Sequence, residues 1–195
     1  MPLAVPVGFP QFLLFDALSL LFFAFLIRAG WGRDREANVR ADRRSRDGII
    51  LQSIGIGVAG IGPVHPTLEP LSGASLAGCA LVTLLMGTAI GLFAASSRAL
   101  GRNWSIVART RSDHELVRDG PYAYVRHPIY LGLLFFLLGL SAALGHWLQL
   151  IVAVPLYLAG TTIRTRAEDR LLEQAFGDKF RDYRSSTPAL IPKIN

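Results

Sequence analysis

Residues 128–163 read PIYLGLLFFLLGLSAALGHWLQLIVAVPLYLAGTTI, 36 positions without one Asp, Glu, Lys or Arg. One membrane crossing takes about 20 residues, so the stretch is too long for a single span. Gly145-His146 divides it into two arms of 17 residues, 128–144 and 147–163, which predicts two short helices joined by a tight turn. Arg126 precedes the first arm and Arg164 follows the second, so both ends of this hairpin return to the same polar side.

Three further apolar runs lie upstream, at residues 9–27, 49–64 and 72–97. The first carries one charge, Asp16, has nothing basic ahead of it and no evident cleavage site, and is expected to stay in the mature protein. The second is short and ends at Pro63 and Pro66, so it crosses with little tilt or thins the bilayer locally. The fold class expected is therefore all-α: an integral membrane helical bundle of about five transmembrane helices, forming a single transmembrane domain over residues 1–195, with a cytoplasmic C-terminal helical segment. All 20 basic residues fall in three polar segments, 28–48, 98–126 and 164–195, and with five spans these share one face. The positive-inside rule makes that face cytoplasmic and puts the N-terminus outside.

Composition agrees. Of 195 residues, 51% are hydrophobic and 17% charged, which argues against an ordinary soluble domain. The net charge of +6 is interrupted by apolar runs instead of forming a polar binding face, so no nucleic-acid partner is expected. Membrane lipids are the expected surroundings. Cys79 is the only cysteine, which excludes an internal disulfide framework and a cysteine zinc cluster. His65, His114, His127 and His146 do not stand at metal-ligand spacing, and no metal is expected. Gly55-Ile56-Gly57-Val58-Ala59-Gly60 matches the dinucleotide fingerprint, but it lies inside an apolar span with no βαβ unit around it. Small residues that let helices approach closely account for it better.

The densest polar and aromatic cluster is Gly120-Pro121-Tyr122-Ala123-Tyr124-Val125-Arg126-His127-Pro128-Ile129-Tyr130, where a polar loop enters the fourth span. Proline suits the first helical position, so His127 is expected to cap a helix starting at Pro128, with Tyr130 one turn on. A ligand site or an interfacial tyrosine belt with Arg126 toward lipid headgroups would both use these residues. After the fifth span, residues 164–176 keep helical periodicity up to Gly177, and Arg164 and Glu168, four apart, share a face. As a surface ion pair they would contribute roughly 0.3–0.5 kcal/mol, and Arg ahead of Glu is the weaker order.

Taken in order, Leu100-Gly101-Arg102-Asn103-Trp104-Ser105, His114-Glu115-Leu116-Val117, Gly120-Pro121-Tyr122, Arg126-His127-Pro128-Ile129-Tyr130 and Glu168-Asp169 ahead of Phe176-Gly177 resemble the isoprenylcysteine carboxyl methyltransferase family. These are integral membrane enzymes, related to phospholipid methyltransferases, that use S-adenosylmethionine (SAM) without a Rossmann fold and release S-adenosylhomocysteine. The resemblance covers about residues 100–192; the N-terminal half matches in hydropathy alone. It implies cofactor contacts from His114, Glu115, Leu116, Val117, Tyr122, His127, Pro128, Ile129, Tyr130 and Glu168, and substrate contact from Arg164, with Arg164 and Glu168 as the catalytic pair. Asp169 departs from the usual second Glu, Phe180 stands where Tyr is common, and an upstream cofactor-binding Gln of some members has no counterpart.

The acceptor implied is a lipophilic small molecule or lipidated carboxylate. Transfer from a sulfonium to a carboxylate neutralises two charges, which a water-poor pocket favours, and it needs alignment more than a base. An amine acceptor would need to lose a proton, for which Glu168 or Asp169 is at hand. A phospholipid amine methyltransferase, a sterol-type NADPH-dependent membrane reductase and a non-catalytic membrane protein are the alternatives.

Overall fold

The structure, a computed structural model, describes residues 4–30, 40–41, 44–101, 109–110 and 116–191. Among the described residues there are six α-helices: α1 Phe9–Gly30, α2 Arg44–Gly60, α3 Gly73–Leu100, α4 Pro128–Leu144, α5 Leu150–Phe176 and α6 Asp178–Ser186. A 3₁₀ turn spans Gly120–Ala123, and two residues, Arg40–Ala41 (β1), pair antiparallel with Arg109–Thr110 (β2).

Local chemistry sets most helix ends. Ser72 caps α3, its hydroxyl accepting from the Ser75 N–H at 3.3 Å. Pro128 opens α4, as expected, and Gly145 closes it in the left-handed region at φ 72°, where its N–H bonds back to the last turn. The arm 128–144 is thus a helix end to end. The other boundaries differ. Helix α2 begins in the polar loop at Arg44 and ends at Gly60, not at residue 64. Helix α5 starts at Leu150 and does not stop at residue 163; it runs unbroken to Phe176, 27 residues or about 40 Å. The apolar fifth arm and the charged segment after it are one rod.

Helix α4 is the shared element of two cores. On one side Phe15 and Phe22 of α1 and Phe93 of α3 meet Phe136 of α4, with ring centroids 5.0 Å apart for Phe22–Phe136 and 5.2 Å for Phe22–Phe93. On the other, Ala59 of α2 and Ala153 and Tyr157 of α5 surround Leu137. Glycine makes the α2–α5 contact close: a Cβ on Gly55 would stand 2.8 Å from the Tyr157 nitrogen, and one on Gly160 would stand 2.7 Å from the Gln52 nitrogen. Gly57 of the same fingerprint meets nothing within 4 Å, so helix approach explains Gly55 and not Gly57.

Helices α1 and α3 are long and apolar enough to cross a membrane, and α4 is apolar but 17 residues long. Most of the apolar surface of α1 and α3 is turned outward, with Leu20 73% and Leu84 67% exposed, which suits lipid and not water. At one end of the bundle the connections without basic residues are bonded together. The Val5 N–H donates to the Gly145 carbonyl, the Val7 N–H to that of His65, and the buried His146 ring lies 3.1 Å from the carbonyls of both Ala59 and Pro63. At the other end the basic segments meet through the β1–β2 pair.

Candidate active site

Because α5 continues past Ile163, its last turns reach the residues that lead into α4. Arg164 and Glu168 lie on one face, and Asp169 is turned about 100° from Glu168. The ring of His127 sits between the two carboxylates: Nδ1 is 3.2 Å from Glu168 Oε2 and Nε2 is 3.0 Å from Asp169 Oδ1. His127 heads α4, but its side chain makes no capping bond. Carboxylates only accept, so both ring nitrogens donate and the imidazolium is the form that satisfies the site.

Burial alone would lower the His127 pKa, but hydrogen bonds to Asp169 and Glu168 and their charges outweigh it and hold it above the usual 6.5. The reciprocal holds for the acids. Burial would raise them, yet the bonds to His127 and the charges of His127 and of Arg164 for Glu168, or Arg126 for Asp169, keep both below their ordinary values.

Glu168 has a second protein donor. The Tyr130 hydroxyl donates to its other oxygen, and the Tyr130 and His127 rings stack with centroids 5.8 Å apart and planes 21° apart. Above the Tyr130 ring, 4.6 Å from its centroid, lies the buried Arg164 guanidinium, whose Nη1 donates to Gln52 Oε1 at 2.9 Å. The Tyr157 hydroxyl donates to the Tyr130 carbonyl at 2.7 Å.

Arg126 ties the cluster to the C-terminal segment. Its Nη2 donates to Asp169 Oδ2 at 3.0 Å, and its Nη1 donates to the carbonyls of Arg184, at 3.2 Å, and of Thr187. The backbone N–H groups of Arg126 and His127 donate to the carbonyls of Pro188 and Ala189. Tyr122 is buried, pushed up in pKa by that burial and by the Glu168 charge, and its carbonyl accepts from the Tyr183 hydroxyl at 2.6 Å.

Of the residues expected at the site, His127, Tyr130, Arg164 and Glu168 therefore converge, with Tyr122 near enough to sense Glu168. Pro128 is buried at the start of α4, Ile129 packs toward the α1–α3–α4 core, and Leu116 and Val117 are half-buried in an irregular segment. His114 and Glu115 lie outside the described residues, as do Arg102 to Ser105. Arg126 is not turned to lipid headgroups; its side chain is 9% exposed and bonded to Asp169. Arg164 is not a surface ion-pair partner, being 7% exposed. Sequence reasoning passed over the part played by Asp169 and Arg126, and it passed over Gln52 altogether. An amide at position 52 inside an apolar run was the available signal. Among the described residues, no group of three or more His, Cys, Asp or Glu could hold a metal ion.

The family model for isoprenylcysteine carboxyl methyltransferases matches residues 80–174, which include His127, Tyr130, Arg164, Glu168 and Asp169. Over that stretch, just under half of its length, the chain is similar to this family. It is also similar to the protein-S-isoprenylcysteine O-methyltransferase of Schizosaccharomyces pombe, 38% identical over 48% of this chain and 41% of that protein. The Saccharomyces cerevisiae protein of the same name is 29% identical over 60% of this chain and 48% of its own. The cobalt-zinc-cadmium resistance protein CzcN of Cupriavidus metallidurans is 34% identical over 54% and 49%. The chain spans about half the length of the curated relatives it matches.

Proposed function

We propose that the chain is an integral membrane methyltransferase that moves a methyl group from S-adenosylmethionine to the carboxylate of a lipophilic, isoprenylcysteine-type acceptor, releasing S-adenosylhomocysteine. The observation that carries this reading is the state of Glu168. Each of its oxygens already has a protein donor, Tyr130 or His127, and its side chain is still 25% exposed. A carboxylate fixed in this way retains acceptor capacity and negative charge for a cationic ligand, which fits the ammonium and sulfonium of SAM. His114 to Val117, Tyr122, and His127 to Tyr130 complete the cofactor side.

When bound, SAM supplies an electrophilic methyl on sulfur. The chain's own residues orient and desolvate. Arg164, braced over the Tyr130 ring, is the cation that an acceptor carboxylate would meet, with its charge buried and therefore effective. An ionised carboxylate needs no base. The lowered pKa of Glu168 makes it a weak base, which favours a carboxylate acceptor over an amine that must first be deprotonated.

Five spans, with α2 and α5 crossing beside α1, α3 and α4, would put the site at the cytoplasmic face, where the basic segments lie. The polar cofactor would then enter from the cytoplasm, and the acceptor laterally from the bilayer. The deciding experiment incubates membranes containing the protein with methyl-labelled SAM and an S-farnesyl cysteine derivative, and identifies the labelled product by mass spectrometry. A base-labile methyl ester is expected. Label on a phospholipid amine alone would replace this reading, and thermal stabilisation by NADPH without stabilisation by SAM would point to a reductase.

A further inference from the structure

The α2–α5 seam holds a buried polar relay that reaches the site from outside the matched segment 80–174. Gln52 of α2 is 3% exposed. Its Oε1 accepts from Arg164 Nη1 at 2.9 Å and its Nε2 donates to Thr161 Oγ1 at 2.8 Å. Arginine can only donate, so the amide oxygen must face Arg164 and the amide nitrogen must face Thr161. Thr161 and Arg164 are three apart on α5 and share a face, so Gln52 is gripped at both ends of its amide by one helix.

Glycines set the width of this contact. A Cβ on Gly48 would stand 2.5 Å from Arg164 Cγ, and one on Gly160 would stand 3.0 Å from Gln52 Cγ. The same guanidinium lies over the Tyr130 ring, whose hydroxyl donates to Glu168. A neutral acceptor at position 52 steers Arg164 without cancelling its charge, whereas an acid there would form an ion pair with it.

We propose that Gln52 is the positioning residue for Arg164 and that its neutrality preserves the cation that recognises an anionic acceptor, which makes α2 part of acceptor selection. This rests on the carboxylate-methylating reading above. Three variants of the full chain test it in detergent: Gln52→Glu, Gln52→Met and Thr161→Val. Each is assayed with labelled SAM and an S-farnesyl cysteine carboxylate, with SAM affinity and melting temperature measured in parallel.

Gln52→Glu is expected to raise KM for the carboxylate about tenfold or more, the scale of one lost charge-assisted contact, while SAM affinity stays unchanged. Gln52→Met and Thr161→Val are expected to raise the same KM by smaller factors. A merely structural role would instead lower melting temperature, kcat and SAM affinity together, and that pattern would overturn the proposal. If Gln52→Glu does not fold, the other two carry the same reading. An unchanged KM in every folded variant overturns the role of Gln52 alone, whereas a wild type that binds SAM but leaves the carboxylate unlabelled overturns the reading on which it rests.

Discussion

His127 Nε2 lies 3.0 Å from Asp169 Oδ1, a bond that joins the residue heading α4 to the C-terminal half of α5. It turns two sequence-distant polar segments into one charged site, and its strength depends on pH in both directions. The His127 pKa is raised in the fold, so its stabilisation is fully present below 6.5 and is lost as pH rises through the folded value. Asp169 and Glu168 are lowered, so theirs is present above their ordinary values of 3.8 and 4.5 and is lost as pH falls through the folded ones. Melting temperature in detergent is expected to be highest between 4.5 and 6.5 and to decline on the alkaline side. His127→Gln should flatten that alkaline decline; a decline of the same size in the variant would show that it arises elsewhere.

Asp169 holds His127 and Arg126 at once, and its side chain is 12% exposed. Asp169→Asn would leave two buried cationic groups with a weakened acceptor, a loss of about 3 kcal/mol by analogy with broken buried pairs. Asp169→Glu keeps the charge, and one added methylene is expected to be tolerated with activity within a few-fold of wild type. Chemical or thermal unfolding of the two variants side by side checks this: equal destabilisation would mean that the shape of the side chain matters and not its charge.

Arg164 and Glu168 are expected to separate binding from transfer. Glu168→Gln keeps an acceptor for Tyr130 but removes the negative charge facing a cationic ligand, so SAM affinity measured by calorimetry should fall about tenfold or more. Arg164→Ala should leave SAM affinity near wild type while product formation is lost. Loss of SAM binding in Arg164→Ala, or its retention in Glu168→Gln, would reverse the assigned roles.

What the sequence made legible follows from what kind of signal each feature leaves. Pro128 and Gly145 are backbone punctuation, so α4 could be delimited to the residue. Gly177 likewise marked the end of α5, but the continuity of the helix across Ile163 and Arg164 could not be found in this way, because the change there is one of environment: polarity rises while the helix continues to Phe176. The start of α2 among Arg44, Arg46 and Asp47 was hidden for the same reason. Within the site, His127, Tyr130, Arg164 and Glu168 were readable from helical spacing and from motif resemblance. Gln52 was not, since it meets Arg164 across 112 positions of chain, and no local pattern encodes such a pairing. Arg126 next to an apolar run fitted an interfacial anchor as well as a ligand site, and only the return of the C-terminal segment, whose Thr187 carbonyl it bonds, makes it a buried residue.

The glycines of α2 offer a test of the packing itself, because two of them sit in opposite surroundings on the same helix. A Cβ at Gly55 would meet the Tyr157 nitrogen at 2.8 Å and the Ala153 carbonyl oxygen at 2.9 Å, both backbone atoms that cannot rotate aside. Gly55→Ala must therefore push α2 away from α5, at a cost of about 1–3 kcal/mol for overpacking. Since α2 carries Gln52, that displacement should also raise KM for the acceptor. At Gly57 a Cβ meets nothing within 4 Å, and alanine in a helix is favoured over glycine by about 0.5–1 kcal/mol. Gly57→Ala is expected to leave melting temperature unchanged or raise it, with KM unaffected. Destabilisation of equal size at both positions would mean that α2 is not seated on α5 through Gly55.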